Sequence, residues 1–101
     1  MININNYFLQ DNNLKPLIIA EISANHCGKK SLFLKTIRAA AKGGADLIKI
    51  QTYEPQDITV KKRFKIKGKI FDTWKLYKKA QTPFKWHKDA FSLAKKLKIE
   101  L

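Results

Sequence analysis

Two near-continuous apolar runs of strand length organise the first half of the chain, Leu17-Ile18-Ile19-Ala20-Glu21-Ile22 and Leu47-Ile48-Lys49-Ile50-Gln51-Thr52. Runs of this kind mark strands buried on both faces of a parallel sheet. Between them Leu34, Ile37, Ala40 and Ala41 recur at helical spacing. They predict an amphipathic helix with Ser31 at its N-cap and Gly43-Gly44 at its end, where glycine accepts the left-handed conformation. A strand–helix–strand unit of roughly 35 residues places its two strands parallel.

The flanks are less regular. Ile2 and Ile4, then Tyr7 to Leu9, alternate loosely before the turn Asp11-Asn12-Asn13, predicting a short β-hairpin over residues 1–16. Residues 53–69 read as a long polar connection with Pro55 early and a lysine-rich tract after it; a structureless loop of that length is usually functional or mobile. Residues 71–80 predict a short helix. Thr82-Pro83 predicts a second helix start, threonine as N-cap and proline at the first helical position. Trp86, Ala90, Leu93, Ala94 and Leu97 form that helix's buried face, Lys98 closes it, and Ile99-Glu100-Leu101 opens a third strand. The pattern is α/β, and two strands plus the start of a third are too few to bury a parallel sheet. The chain reads as the incomplete beginning of a larger domain, at best marginally folded by itself.

Composition excludes several classes. A hydrophobic content of 45% fits a globular chain. No apolar run reaches the roughly 18 residues of a membrane span, and the polar, Asn-rich start does not resemble a secretion signal. The single cysteine, Cys27, has no partner for a disulfide or a zinc knuckle, as expected in the cytoplasm. The net charge is +13, and residues 61–101 hold 14 basic against 3 acidic side chains, so +11 of it lies there. Interleaved with Phe64, Phe71, Trp74, Tyr77, Phe84 and Trp86, this stretch is the one place for a small basic nucleic-acid-binding reading. All but two of the basic residues, Arg38 and Arg63, are lysine. Lysine on helix faces is usually a solvated surface, whereas arginine is preferred for bidentate recognition. Nucleic acid is therefore not the expected partner.

Chemistry is expected at the strand ends. Side chains alternate along a strand, so Glu21 shares a face with Leu17 and Ile19, and Lys49 with Leu47 and Gln51. An ionisable group in a buried strand is costly unless paired. Glu21 and Lys49 therefore form either an internal salt bridge between neighbouring strands or part of a polar pocket at the carboxyl end of the sheet, where α/β enzymes build active sites. The polar stripe continuing through Gln51 favours the pocket. A lysine there suits an anionic substrate, and a carboxylate nearby can act as a base or bind a hydroxyl. Asn25 and His26 follow the first strand on the same edge, His26 serving either as a proton shuttle or hydroxyl ligand or as a brace for the loop. Trp86-His87 reads as core packing. There is no Walker loop, dinucleotide fingerprint or metal-ligand spacing.

Ile18-Ile19-Ala20-Glu21-Ile22-Ser23-Ala24-Asn25-His26-Cys27-Gly28 resembles the first-strand motif of the sialic acid synthase family, IIAE followed by an NHxG loop. Ala45-Asp46-Leu47-Ile48-Lys49-Ile50-Gln51-Thr52-Tyr53 resembles its second-strand motif, GADxIKxQTY. The SANH form, the tract Leu76 to Pro83, and Trp86-His87 with Phe91 resemble most the pseudaminic acid synthase branch. The resemblance implies a (β/α)8 TIM barrel, of which residues 1–101 would be the N-terminal part: the hairpin, then the first strand–helix–strand units over 17–101. It implies condensation of phosphoenolpyruvate with the aldehyde of an N-acetylated amino sugar to give a nine-carbon 2-keto acid and phosphate. By position, Glu21 would be the catalytic proton-transfer or orienting group. Lys49 would bind phosphoenolpyruvate and Gln51 the sugar, with Asn25 and His26 shaping the same mouth. The family also implies a divalent metal, Mn or Mg, whose ligands lie outside this chain, and a homodimer of the full-length protein. The chain alone is expected to be inactive; the remaining alternative is a non-catalytic remnant that binds a full-length synthase.

Overall fold

The computed structural model describes residues 15–101, so the hairpin expected over 1–16 lies outside the described residues except for its last two positions. Strand β1 (Ile19–Glu21) and strand β2 (Leu47–Lys49) pair in parallel, with Ile19 opposite Leu47 and Glu21 opposite Lys49. The Asp46 carboxylate fixes this register from the amino end by accepting the Ile18 N–H at 2.8 Å. Past β2 the sheet continues as a parallel bridge between Leu47 and Glu100, where the Ile48 N–H donates to the Glu100 carbonyl at 2.9 Å. This is the expected third strand, reduced to one bridge. The described residues form a mixed α/β structure and no closed barrel.

Helix α1 (Lys30–Lys42) connects the two strands. It begins one residue before Ser31, and its N-cap, Lys29, provides no side-chain hydrogen bond. The start is set instead by the preceding turn, in which the Lys29 N–H donates to the His26 carbonyl at 2.8 Å. The C-terminus follows the sequence closely. Gly44 has φ +88, its N–H donates to Ala41 at 3.2 Å, and the Ala45 N–H donates to Ala40 at 3.2 Å. These two bonds satisfy the last carbonyls of the helix in the Schellman pattern, which requires a left-handed residue at the position of Gly44.

The stretch expected to be structureless is built. Helix α2 (Pro55–Ile58) starts with proline in its first turn, and the Glu54 N–H is met by the Asp57 carboxylate at 2.6 Å. Strands β3 (Arg63–Ile66) and β4 (Lys69–Asp72) then form an antiparallel hairpin. Its two-residue turn, Lys67-Gly68, has φ +47 and +78, the paired positive values of a tight hairpin turn whose twist matches the strands. Asp72 ends β4 and caps helix α3 (Thr73–Ala80), its Oδ1 accepting the Lys75 N–H at 2.9 Å.

The second helix start also differs from expectation. Phe84–Trp86 make one 3₁₀ turn, and helix α4 (His87–Leu97) begins after it. Pro83, extended, takes the N-cap position with no side-chain cap, and the Thr82 hydroxyl accepts from His26 instead. Lys98, at φ 56, closes α4 as expected.

The core lies where α1 and α4 cover one face of the sheet. Phe33 and Ile37 of α1, Ile22 and Ile48 of the sheet, and Trp86 and Ala90 at the start of α4 form one buried cluster. Ala90 and Ala94 let the helices approach closely, and the Phe33 and Trp86 rings lie 5.6 Å apart. Full burial of a side chain such as Phe33 or Ile37 contributes about 1.5–3 kcal/mol. Burial on both sheet faces, expected from the first apolar run, does not hold: Ile19, on the face away from the helices, is 53% exposed.

Candidate functional site

The uncovered face of the sheet carries the polar stripe. Parallel register sets Glu21 directly opposite Lys49, and the Lys49 Nζ lies 3.0 Å from Glu21 Oε2. The other carboxylate oxygen, Oε1, accepts the Ser23 N–H at 2.9 Å and the Ser23 hydroxyl at 3.2 Å. Partial burial works to raise the Glu21 pKa, but Lys49 and the Ser23 donors outweigh it and hold it below its ordinary value. Glu21 is therefore an ionised carboxylate at neutral pH. The lysine is exposed and the glutamate only partly covered, so of the two readings the salt bridge is present and an enclosing pocket is not. Gln51 is exposed beyond the end of β2 on the same edge.

The loop after β1 is held tightly. Ser23 and Cys27 have φ 37 and 50, and Gly28 has φ 72. At its centre His26 is 2% exposed. The Gly28 N–H donates to His26 Nδ1 at 3.0 Å, which places the ring proton on Nε2, 3.1 Å from the Thr82 hydroxyl oxygen to which it donates. Phe33 and Trp86 meet the imidazole edge-on, and burial lowers its pKa. With both nitrogens occupied and no exposed ring, His26 acts as the brace of the loop; direct substrate contact by His26 is the expectation that this geometry does not support. Asn25, by contrast, is exposed at the tip, its N–H tied to the Ile22 carbonyl at 3.3 Å.

Sequence reasoning left one pair unremarked. The Thr52 hydroxyl, just past Gln51, lies 2.6 Å from His87 Nε2, and His87 Nδ1 lies 2.9 Å from the Phe84 carbonyl. His87 is thus a partner of the edge rather than core. Next to it a cleft of about 300 Å³ is lined by Tyr53, Glu54, Gln81, Thr82, Pro83, Phe84 and Lys85. Burial, with the neighbouring Tyr77, raises the Tyr53 pKa. Among the described residues no three His, Cys, Asp or Glu side chains converge on a point where a metal ion could bind. The described residues do not fit the divalent metal that the resemblance implies. No helix among them is long and apolar enough to cross a membrane.

The sequence is similar to proteins that are already characterised by name. The chain is 49% identical over 86 residues to the pseudaminic acid synthase of Campylobacter jejuni, an alignment covering 79% of this chain and 25% of that protein. It is 40% identical over 90 residues to the pseudaminic acid synthase of Helicobacter pylori, covering 83% and 26%. It is 33% identical over 91 residues to the N,N'-diacetyllegionaminic acid synthase of Campylobacter jejuni, covering 84% and 27%. The chain thus spans about a quarter of the length of these relatives. Residues 36–101 match the NeuB family, well over half of the sequence, and the chain belongs to that family.

Proposed function

We propose that this chain supplies one wall of the active site of a pseudaminic acid-type synthase, a transferase that joins phosphoenolpyruvate to an N-acetylated amino sugar and releases phosphate. The observation that carries the proposal is the Glu21–Lys49 pair at 3.0 Å on the open face of the sheet, inside a stretch 49% identical to a pseudaminic acid synthase. In the whole enzyme that open face is the interior of a (β/α)8 barrel, and the carboxyl ends of the strands are the catalytic edge. Without substrate, Glu21 neutralises Lys49. When phosphoenolpyruvate arrives, the ammonium turns to its anionic groups and frees a carboxylate beside the sugar, able to orient a hydroxyl or move a proton. Gln51 hydrogen-bonds the sugar, Asn25 shapes the mouth, and His26 contributes by holding the loop. The divalent metal comes from residues outside this chain, the whole enzyme is a cytoplasmic homodimer, and the chain by itself does not turn over.

The test is a chimera in which residues 15–101 replace the matching stretch of the Campylobacter jejuni synthase, assayed for phosphate release from phosphoenolpyruvate. Turnover is expected, and Lys49→Ala should reduce it at least a hundredfold. A chimera without activity, or one indifferent to Lys49→Ala, overturns the proposal. A second reading has one observation behind it: residues 61–71, which carry six basic side chains, are exposed throughout. Binding of RNA by the purified chain, weakening steeply as salt rises, would favour a nucleic-acid surface.

A further inference from the structure

The Thr52–His87 pair has a direction that the geometry fixes. A backbone carbonyl can only accept, so the Phe84 carbonyl at 2.9 Å places the ring proton of neutral His87 on Nδ1. Nε2 is then bare, and at 2.6 Å the Thr52 hydroxyl must donate to it. The threonine proton is committed, and the lone pairs of its oxygen remain as an acceptor. The Phe84 ring, stacked on the imidazole with centroids 5.6 Å apart, holds His87 in plane.

This is the opposite assignment to His26, where the ring donates and the threonine accepts. The His26–Thr82 contact is buried, as a brace should be. Thr52 is exposed, directly follows Gln51 and precedes Tyr53, which lines the 300 Å³ cleft together with Phe84, itself 63% exposed. An exposed aromatic ring, amide and charged groups, and an oriented hydroxyl oxygen suit a ligand that offers both C–H faces and hydrogen-bond donors.

We propose that Thr52 contacts the acceptor sugar, its hydroxyl oxygen accepting a hydrogen bond from a sugar hydroxyl or from the N-acyl N–H, and that His87 is the positioning residue that holds it as an acceptor. The inference rests on the synthase reading above and names a contact for its sugar.

Two measurements test it. On the 101-residue chain, nitrogen NMR of the neutral imidazoles should show His87 protonated at Nδ1 and His26 at Nε2; His87 protonated at Nε2 overturns the inference. In the chimera, Thr52→Val should raise the KM for the acetamido sugar about tenfold, the loss of one net hydrogen bond. The KM for phosphoenolpyruvate should stay unchanged, and Thr52→Ser should restore the sugar KM. His87→Phe keeps a ring against Phe84 but removes both nitrogens, and should raise the same KM by less. An unchanged sugar KM in Thr52→Val overturns the inference; if Lys49→Ala is inactive in the same chimera, the synthase reading survives that result. A fully active Lys49→Ala removes both.

Discussion

The two faces of the same short sheet obey different rules. Towards α1 and α4, Ile22 and Ile48 are buried among Phe33, Ile37, Trp86 and Ala90. His26, on that side, is also buried, with both ring nitrogens satisfied. On the other face a glutamate and a lysine meet in the open, and Ile19 beside them is more than half exposed. Stability is concentrated on the first face because burial and packing supply it. The second face keeps charged groups close together without an apolar surround, an arrangement that contributes little to folding and is useful for chemistry.

The sharpest way to break this contrast is to hollow the covered side. Ile37 is 0% exposed, and Ile37→Ala should destabilise the chain by about 2–5 kcal/mol, the range for deleting a buried aliphatic side chain. The measurement is the urea midpoint, or the outright loss of a cooperative transition. A change within about 0.5 kcal/mol, the size usual for surface sites, would mean that α1 does not pack on the sheet as described.

A smaller effect comes from the same side through pH. Burial lowers the His26 pKa below its ordinary value of 6.5, so on acidification the unfolded chain takes up the proton first. Stability should therefore be complete above about pH 7, fall as pH drops through the unfolded value, and level off below the folded one. His26→Gln should flatten that slope while lowering stability at neutral pH by about 1–3 kcal/mol, since Thr82 loses its partner in a buried place. An identical pH slope in the variant would assign the titration to another group.

What the sequence made legible follows the range of each signal. The strand–helix–strand unit is readable because apolar spacing and the Gly43-Gly44 stop are local. The Glu21–Lys49 salt bridge, by contrast, is only one of two readings open to the sequence, which favours a pocket, because alternation within each strand does not give the register between them. The hairpin is hidden in the sequence because Phe64 and Ile66 alternate with basic residues in a tract that reads as polar. Its turn is also Lys67-Gly68 rather than the more telling Asn-Gly or Asp-Gly. Thr82 was misread for a different reason. Threonine before proline is a strong local cap signal, but here the hydroxyl serves His26, 56 residues away, and no local pattern carries that contact. Thr52 and His87, 35 residues apart, escaped in the same way.

The smallest expected change in stability carries the most information about the open face. Glu21→Gln removes the charge opposite Lys49 and keeps the shape and one acceptor for Ser23. Exposed ion pairs contribute roughly 0–1 kcal/mol, so the urea midpoint should hardly move at neutral pH. The Glu21 pKa lies below its ordinary 4.5, so the pair's contribution is present above that value and is lost only as pH falls through the folded pKa. Wild type and variant should therefore converge in strong acid. If Glu21 and Lys49 existed to hold β1 to β2, the variant would lose stability on the scale of the covered side and the synthase chimera would suffer only in proportion to its unfolding. The expected result is the reverse: a fold almost indifferent to Glu21→Gln, in a chimera whose turnover falls by more than tenfold because the carboxylate beside the sugar is gone.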